Sequence, residues 1–106
     1  MKLKQRWVNE FLRKSGDDKI EEENLVVLPF GFFNFFISDG GNTFVVNQAY
    51  CEGNNGRKLL NVIELYAKEY GCRTIMFITR RNYRAFERKY GFKLAGYVLE
   101  KEVNYE

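Results

Sequence analysis

Residues 52–58 read Glu-Gly-Asn-Asn-Gly-Arg-Lys and lie between an apolar alternating run and an amphipathic helical run. A helix N-terminus presents unpaired N–H groups and the positive end of the macrodipole, so such a junction attracts anions. Gly53 and Gly56 let the backbone come close to a ligand, and Asn54 and Asn55 tolerate the left-handed conformations that turn successive amides inward. Arg57 and Lys58 add positive charge at the mouth. The chemistry suits a phosphate, although the same residue types also build ordinary strand-to-helix turns. It is not a P-loop, because Leu59 follows Lys58 where Ser or Thr is needed, and the G-x-G-x-x-G spacing is absent.

Cys51 immediately precedes this turn, where a helix start would lower a thiol pKa; the plainer reading is a half-buried small side chain. With only Cys51 and Cys72 and no histidine, neither a zinc cluster nor a histidine-based triad is available, and both thiols read as reduced. Arg80, Arg81, Arg84, Arg88, Lys89 and Lys93, interrupted by Glu87, form a basic stretch that suits an anionic ligand or a solvated helix face. Acid gathers instead at Asp17, Asp18, Glu21, Glu22 and Glu23.

The elements that must position these residues follow from periodicity. Leu3, Trp7, Val8, Phe11 and Leu12 recur at helical spacing, which predicts a helix over residues 2–14 stopped by Gly16. "NLVVLPF", "FNFFISD" and "TFVVNQAY" predict an antiparallel meander, with "SDGGN" as a turn. From Gly56 the period becomes 3.6, with Leu59, Leu60, Ile63, Ala67 and Tyr70 on one face and Gly71 as the stop. "RTIMFIT" then predicts a strand buried on both faces, a short helix spans about Tyr83 to Tyr90, and "KLAGYVLEKEV" supplies one final strand. The fold class is therefore α+β: an N-terminal helix, an antiparallel meander and then β-α-β-α-β, giving a mixed central sheet with at least one right-handed crossover.

A chain of 106 residues supports a single domain over residues 1–106 and one core. With 45% apolar residues, ten Phe and seven Tyr, the aromatics belong inside. "FGFFNFF" lacks the interleaved basic residues of a base-stacking platform, which argues for core packing and against nucleic-acid binding. No apolar run reaches the roughly 20 residues needed to cross a bilayer and no signal-peptide block is present, so the chain is expected to be soluble and cytoplasmic, without a membrane partner.

The order of elements and the wording of several segments resemble the Gcn5-related N-acetyltransferase (GNAT) family. In that family a strand Val-x-Pro-x-Tyr-Arg enters Gly-x-Gly-x-Gly and a Leu-Leu helix. Laid on this chain, the valine falls on Val46, the proline on Gln48, the tyrosine on Tyr50, the arginine on Cys51 and the final glycine on Gly56, with Leu59 and Leu60 in step. "YAKEYGCRTIMFIT" and "RRNYRAFERKYGFKLAGYVLEKEV", with Asn82 and Gly91-Phe92, continue the likeness, which covers residues 44–103. The loop's leading Gln/Arg is Cys51 here and its middle glycine is Asn54.

The resemblance implies a cleft between two splayed parallel strands that takes acetyl-CoA. It implies that amides near Val46 and Gln48 hold the pantetheine and polarise the thioester carbonyl, that amides of residues 52–57 hold the pyrophosphate, and that Asn82 contacts the pantetheine arm. Arg57, Lys58 or the Arg84–Lys89 stretch would meet the ribose phosphate. A neutral primary amine, of a protein or a small molecule, would attack the thioester with the help of an acid and a base. The family's tyrosine acid falls on Glu87, with Tyr90 and Tyr83 nearby, and counting from Asn82 gives Lys89. Asp39 and Tyr50 are candidate bases by region. The chain lacks the family's first strand, one early helix and the last strand. A second reading is therefore a binding or assembly module of the same fold, its open sheet edges taking another copy or a partner; compact chains of this kind also resemble phage-encoded ones.

Overall fold

The computed structural model describes residues 2–78, 93–95 and 98–105. Helix α1 (Gln5–Ser15) precedes strands β1 (Leu25–Leu28), β2 (Gly31–Ser38) and β3 (Thr43–Cys51), then helix α2 (Gly56–Glu69), then β4 (Thr74–Ile78), β5 (Lys93–Ala95) and β6 (Val98–Glu102). The strands form one mixed sheet in the order β1-β2-β3-β4-β6-β5. Pairing is antiparallel except between β3 and β4, which α2 joins as a crossover.

Alternation along β2 sorts the two faces. Phe33 and Phe35 point to the α2 side, where Leu59, Leu60, Ile63 and Ala67 meet Phe44, Val46, Ile75, Phe77 and Leu99. Each fully buried large side chain there contributes roughly 1.5–3 kcal/mol. Phe32 points the other way and is covered by Trp7 and Phe11 of α1, with Leu25, Val27, Ile20 and Tyr50 around them. Both helices stop where a glycine takes the left-handed conformation, Gly16 at φ 79° and Gly71 at φ 72°.

Three expectations are corrected. Helix α1 starts at Gln5 rather than residue 2, because Lys4 is extended (φ −73°, ψ 134°). Strand β4 is not buried on both faces: Ile75 and Phe77 are buried while Thr74, Met76 and Ile78 are half-buried. Among the described residues the α1 cluster reaches β1, β2 and β3 and takes in no β4 side chain, so α1 does not cover that face of β4. The last segment is not one strand but the β5–β6 hairpin, with Ala95 opposite Val98 and β6 lying between β4 and β5. The chain thus has the extra terminal strand that its length argued against, and among the described residues the sheet edges are β1 and β5.

One register in this sheet depends on a missing side chain. Gly31 pairs with Cys51, and a Cβ there would stand 2.0 Å from the Tyr50 carbonyl oxygen and 2.8 Å from Cys51 Cα. Both obstacles are backbone, so the Gly31→Ala variant must push β2 and β3 apart. It should lose about 1–3 kcal/mol, toward the upper end, in urea unfolding. A midpoint equal to that of the parent chain would show that the close approach is not needed.

Candidate functional site

Strand β3 pairs in parallel with β4 from Thr43↔Thr74 to Val46↔Phe77, and there the described pairing ends. It continues beside β2 from Gln48↔Asn34 to Cys51↔Gly31. Between Val46, opposite Phe35, and Gln48, opposite Asn34, β3 carries one extra residue, Asn47. This bulge bends the strand just beyond the fork with β4. Residues 48–51 therefore have β2 on one edge and, among the described residues, no β4 partner on the other. Val46, 1% exposed, is the last β3 residue in the described pairing with both β2 and β4.

The strand leaves this fork directly into the turn before α2. The Glu52 amide donates to the Phe30 carbonyl at 2.8 Å, and the Glu52 carboxylate meets Arg6 of α1 at 2.7 Å. Gly53 is left-handed at φ 55°. Asn55, the residue at the helix start, sits at φ −96°, ψ 11° and donates its side-chain amide to the Glu52 carbonyl instead of accepting from the helix. The first helical bond is Leu59 N–H to Asn55 O at 2.9 Å, so the amides of residues 56–58 precede it, at the positive end of the dipole. Gly53, Asn54, Arg57 and Lys58 are exposed, which leaves the turn open to a ligand.

Several predicted site residues come together here and others do not. Gly53, Asn54, Asn55, Gly56, Arg57 and Lys58 form one surface at the head of α2. The Glu52 amide is withdrawn from it, because it closes the β2–β3 ladder. Asn54 and Asn55 do not use left-handed backbone; Gly53 alone in this turn does. The Gln48 amide is not available to a ligand either, since it donates to Asn34 Oδ1 at 2.9 Å in the interior. Cys51 is half-buried against the α2 core, and burial pushes its thiol up rather than down. Asp39 lies in the β2–β3 turn at the start of β3, roughly 13 Å of strand from Asn47 at 3.3 Å per residue, so it is no base for this fork. The Tyr50 ring stacks on Phe32 at 6.0 Å and lies 6.3 Å from Trp7, within the α1 cluster. Glu87, Tyr90, Asn82, Tyr83, Lys89 and the Arg84–Lys89 stretch lie outside the described residues.

The structure adds residues that motif matching missed. A cleft of about 530 Å³ lies on the α1 side of the bulge, between Asn47 and Gln48 on β3 and the loop Gly16, Asp17, Asp18, Lys19 and Glu21. The wall of this cleft hangs from two buried amides, Asn34 and Gln48. The available signal was Asn34 itself, a lone amide in the aromatic run "FGFFNFF" at a position whose neighbours point inward.

No protein-family model matches the chain, and no curated protein matches it by sequence. Solved structures do. Ard1 from Thermoplasma volcanium is 12% identical, with 98% of this chain and 82% of that one covered at a TM-score of 0.62. An aminoglycoside 6'-N-acetyltransferase complexed with coenzyme A is 15% identical, with 77% and 72% covered at 0.61. The aminoglycoside 6'-N-acetyltransferase from Enterococcus faecium is also 15% identical, with 77% and 74% covered at 0.60. This chain has the GNAT fold. At these identities the likeness is one of backbone architecture, and in the GNAT fold seen here the parallel fork and the head of α2 share one end of the sheet.

The raised Cys51 thiol gives a reactivity prediction. A higher pKa lowers the thiolate fraction at any pH below it, so iodoacetamide at about pH 8 should modify Cys51 in the folded chain at least roughly fivefold more slowly than a cysteine peptide. The rate should climb only above the ordinary thiol range, as peptide mapping by mass spectrometry can follow. Reaction as fast as the peptide would mean that the helix dipole, not burial, governs this thiol.

Proposed function

We propose that the chain is an acetyl-CoA-dependent N-acetyltransferase acting on a primary amine. The observation that carries this reading is the fork: the outer edge of β3 at residues 49–51, which has no β4 partner among the described residues, runs straight into the uncapped head of α2, within a GNAT fold. A pantetheine needs an extended main-chain edge and a diphosphate needs converging N–H groups, and both lie here in line. The similar aminoglycoside 6'-N-acetyltransferase was solved with coenzyme A, which supports the same ligand for this cleft.

Acetyl-CoA, when bound, supplies an activated thioester carbonyl. The amides of Gly53, Gly56 and Lys58 would hold the diphosphate, with the exposed Arg57 and Lys58 side chains meeting its phosphates. The outer edge of residues 49–51 would align the pantetheine, and the bulge at Asn47 would set the carbonyl beside the 530 Å³ cleft. The acceptor amine enters from that cleft, must lose its ammonium proton to attack, and leaves a thiolate that must be protonated. Glu87 and Tyr90 are the proposed acids, and Asn82 the proposed contact to the pantetheine arm.

Calorimetry with acetyl-CoA should give roughly micromolar affinity, about −8 kcal/mol, and thiol release should follow addition of a suitable amine. Lys58→Glu is the sharper test. Lys58 is exposed at the helix start, where a new carboxylate favours the helix but repels a diphosphate. The variant should keep or raise its Tm while binding acetyl-CoA about tenfold more weakly, the deficit growing at low salt. Absence of heat with any acyl-CoA would reject the reading. Binding without thiol release from any amine would leave the second reading, a module that holds the ligand without turnover.

A further inference from the structure

Two amide side chains sit in the interior beside the fork, Asn34 at 1% and Gln48 at 4% exposure. A primary amide has two N–H donors and two acceptor lone pairs, and Gln48 uses all four. Its Nε2 donates to Asp17 Oδ2 and to the Lys19 carbonyl, each at 2.9 Å. Its Oε1 accepts from the Glu21 amide and from Asn34 Nδ2, each at 2.8 Å. Asn34 Nδ2 also donates to the Glu21 carbonyl at 2.9 Å, and Asn34 Oδ1 accepts the Gln48 amide. Four of these bonds hold a loop that has no helix or strand of its own, with Ile20 as its apolar contact to the α1 cluster.

The location gives the network its meaning. Gln48 follows the bulged Asn47, one step beyond the last β3–β4 pair, while the loop it suspends forms the facing wall of the cleft. An apolar pair could bury as well at this sheet position, but it could not fix the distance between that wall and the fork. The diphosphate seat at the head of α2 begins at Gly53, five residues beyond Gln48 and past the end of β3, and none of the hydrogen bonds that hold the loop reaches it.

We propose that Asn34 and Gln48 are positioning residues for the acceptor amine: they set the wall formed by residues 16–21 against the β3 bulge and so govern acceptor recognition, not cofactor binding. The inference rests on the acetyltransferase reading. Truncating Gln48 removes three of the loop's four bonds, each worth about 0.5–1.5 kcal/mol, so acceptor binding should weaken while the diphosphate seat stays.

The experiment compares the parent chain with Gln48→Leu, using acetyl-CoA and the best acceptor among butylamine, putrescine and a lysine-containing peptide. The acceptor KM should rise about tenfold or more, with kcat within about threefold and acetyl-CoA Kd within about twofold. Hydrogen exchange at the Glu21 amide should speed up by about tenfold or more in the same variant. Gln48→Glu sets a carboxylate against Asp17 and should behave alike, whereas adding Asp17→Asn to it restores a donor–acceptor pair and should recover most of the acceptor KM. If Gln48→Leu does not fold, Asp17→Ala against Asp17→Asn asks the same question at a partly exposed position, only the alanine raising the acceptor KM. An unchanged acceptor KM despite faster Glu21 exchange, or an acetyl-CoA affinity that falls in step with Tm, would overturn the proposal. A parent chain that transfers acetyl to none of the amines defeats the acetyltransferase reading itself, and this inference with it.

Discussion

Strand β3 cannot serve two neighbours along its whole length. Its first half is held between β2 and β4, yet its second half must swing out to feed the crossover helix that brings the chain back to β4. The one-residue excess at Asn47 is where that change of direction happens, and a bulge is the usual way for a strand to bend without leaving its ladder. Everything at the site follows from this. The described β3–β4 pairing ends at Val46, where the strand turns, and the head of α2 lies beside the outer edge of β3 because the turn before it is only four residues long. Ligands of parallel α/β arrangements gather at the carboxyl ends of the strands for the same reason.

The turn before α2 shows how local bonds can reserve donors for something else. Asparagine at a helix start ordinarily accepts from the second or third amide and so satisfies the helix end. Asn55 instead donates backward to the Glu52 carbonyl, while Glu52 is itself fixed by Phe30 and Arg6. The loop is thus rigid by its own contacts, and the helix end is left without a side-chain cap. Donors that a turn already fixes in place cost little ordering entropy when a ligand meets them.

How much of this was legible in the sequence depended on the range of the interaction. Helix stops at Gly16 and Gly71, the meander and the change of period at Gly56 are set by residues a few positions apart, and they could be read. The β5–β6 hairpin could not, because "KLAGYVLEKEV" alternates smoothly enough to pass for one strand. Burial of β4 was over-read for a related reason: a run of apolar residues does not say whether a helix covers both faces. At the site, the helix head was evident from Gly and Asn spacing, but which amides remain for a ligand is a matter of long-range partners. Glu52 is taken by Phe30 and Gln48 by Asn34, pairings decided only when β2 and β3 come into register.

The same register explains why Asn34 and Gln48 must be considered together. At an inward position of a sheet either one alone would be a buried amide short of partners, costing about 1–3 kcal/mol for each unmet group. Opposite one another across the ladder they satisfy each other's oxygen and nitrogen first, and only the remaining donors and acceptors turn toward the loop. The loop then completes the pair by supplying two carbonyls, one amide and one carboxylate oxygen. Such a network, with every member satisfied, holds the loop in one place. The wall is thereby joined to the strand at its bend, so its position follows the geometry of β3 rather than the loop's own composition.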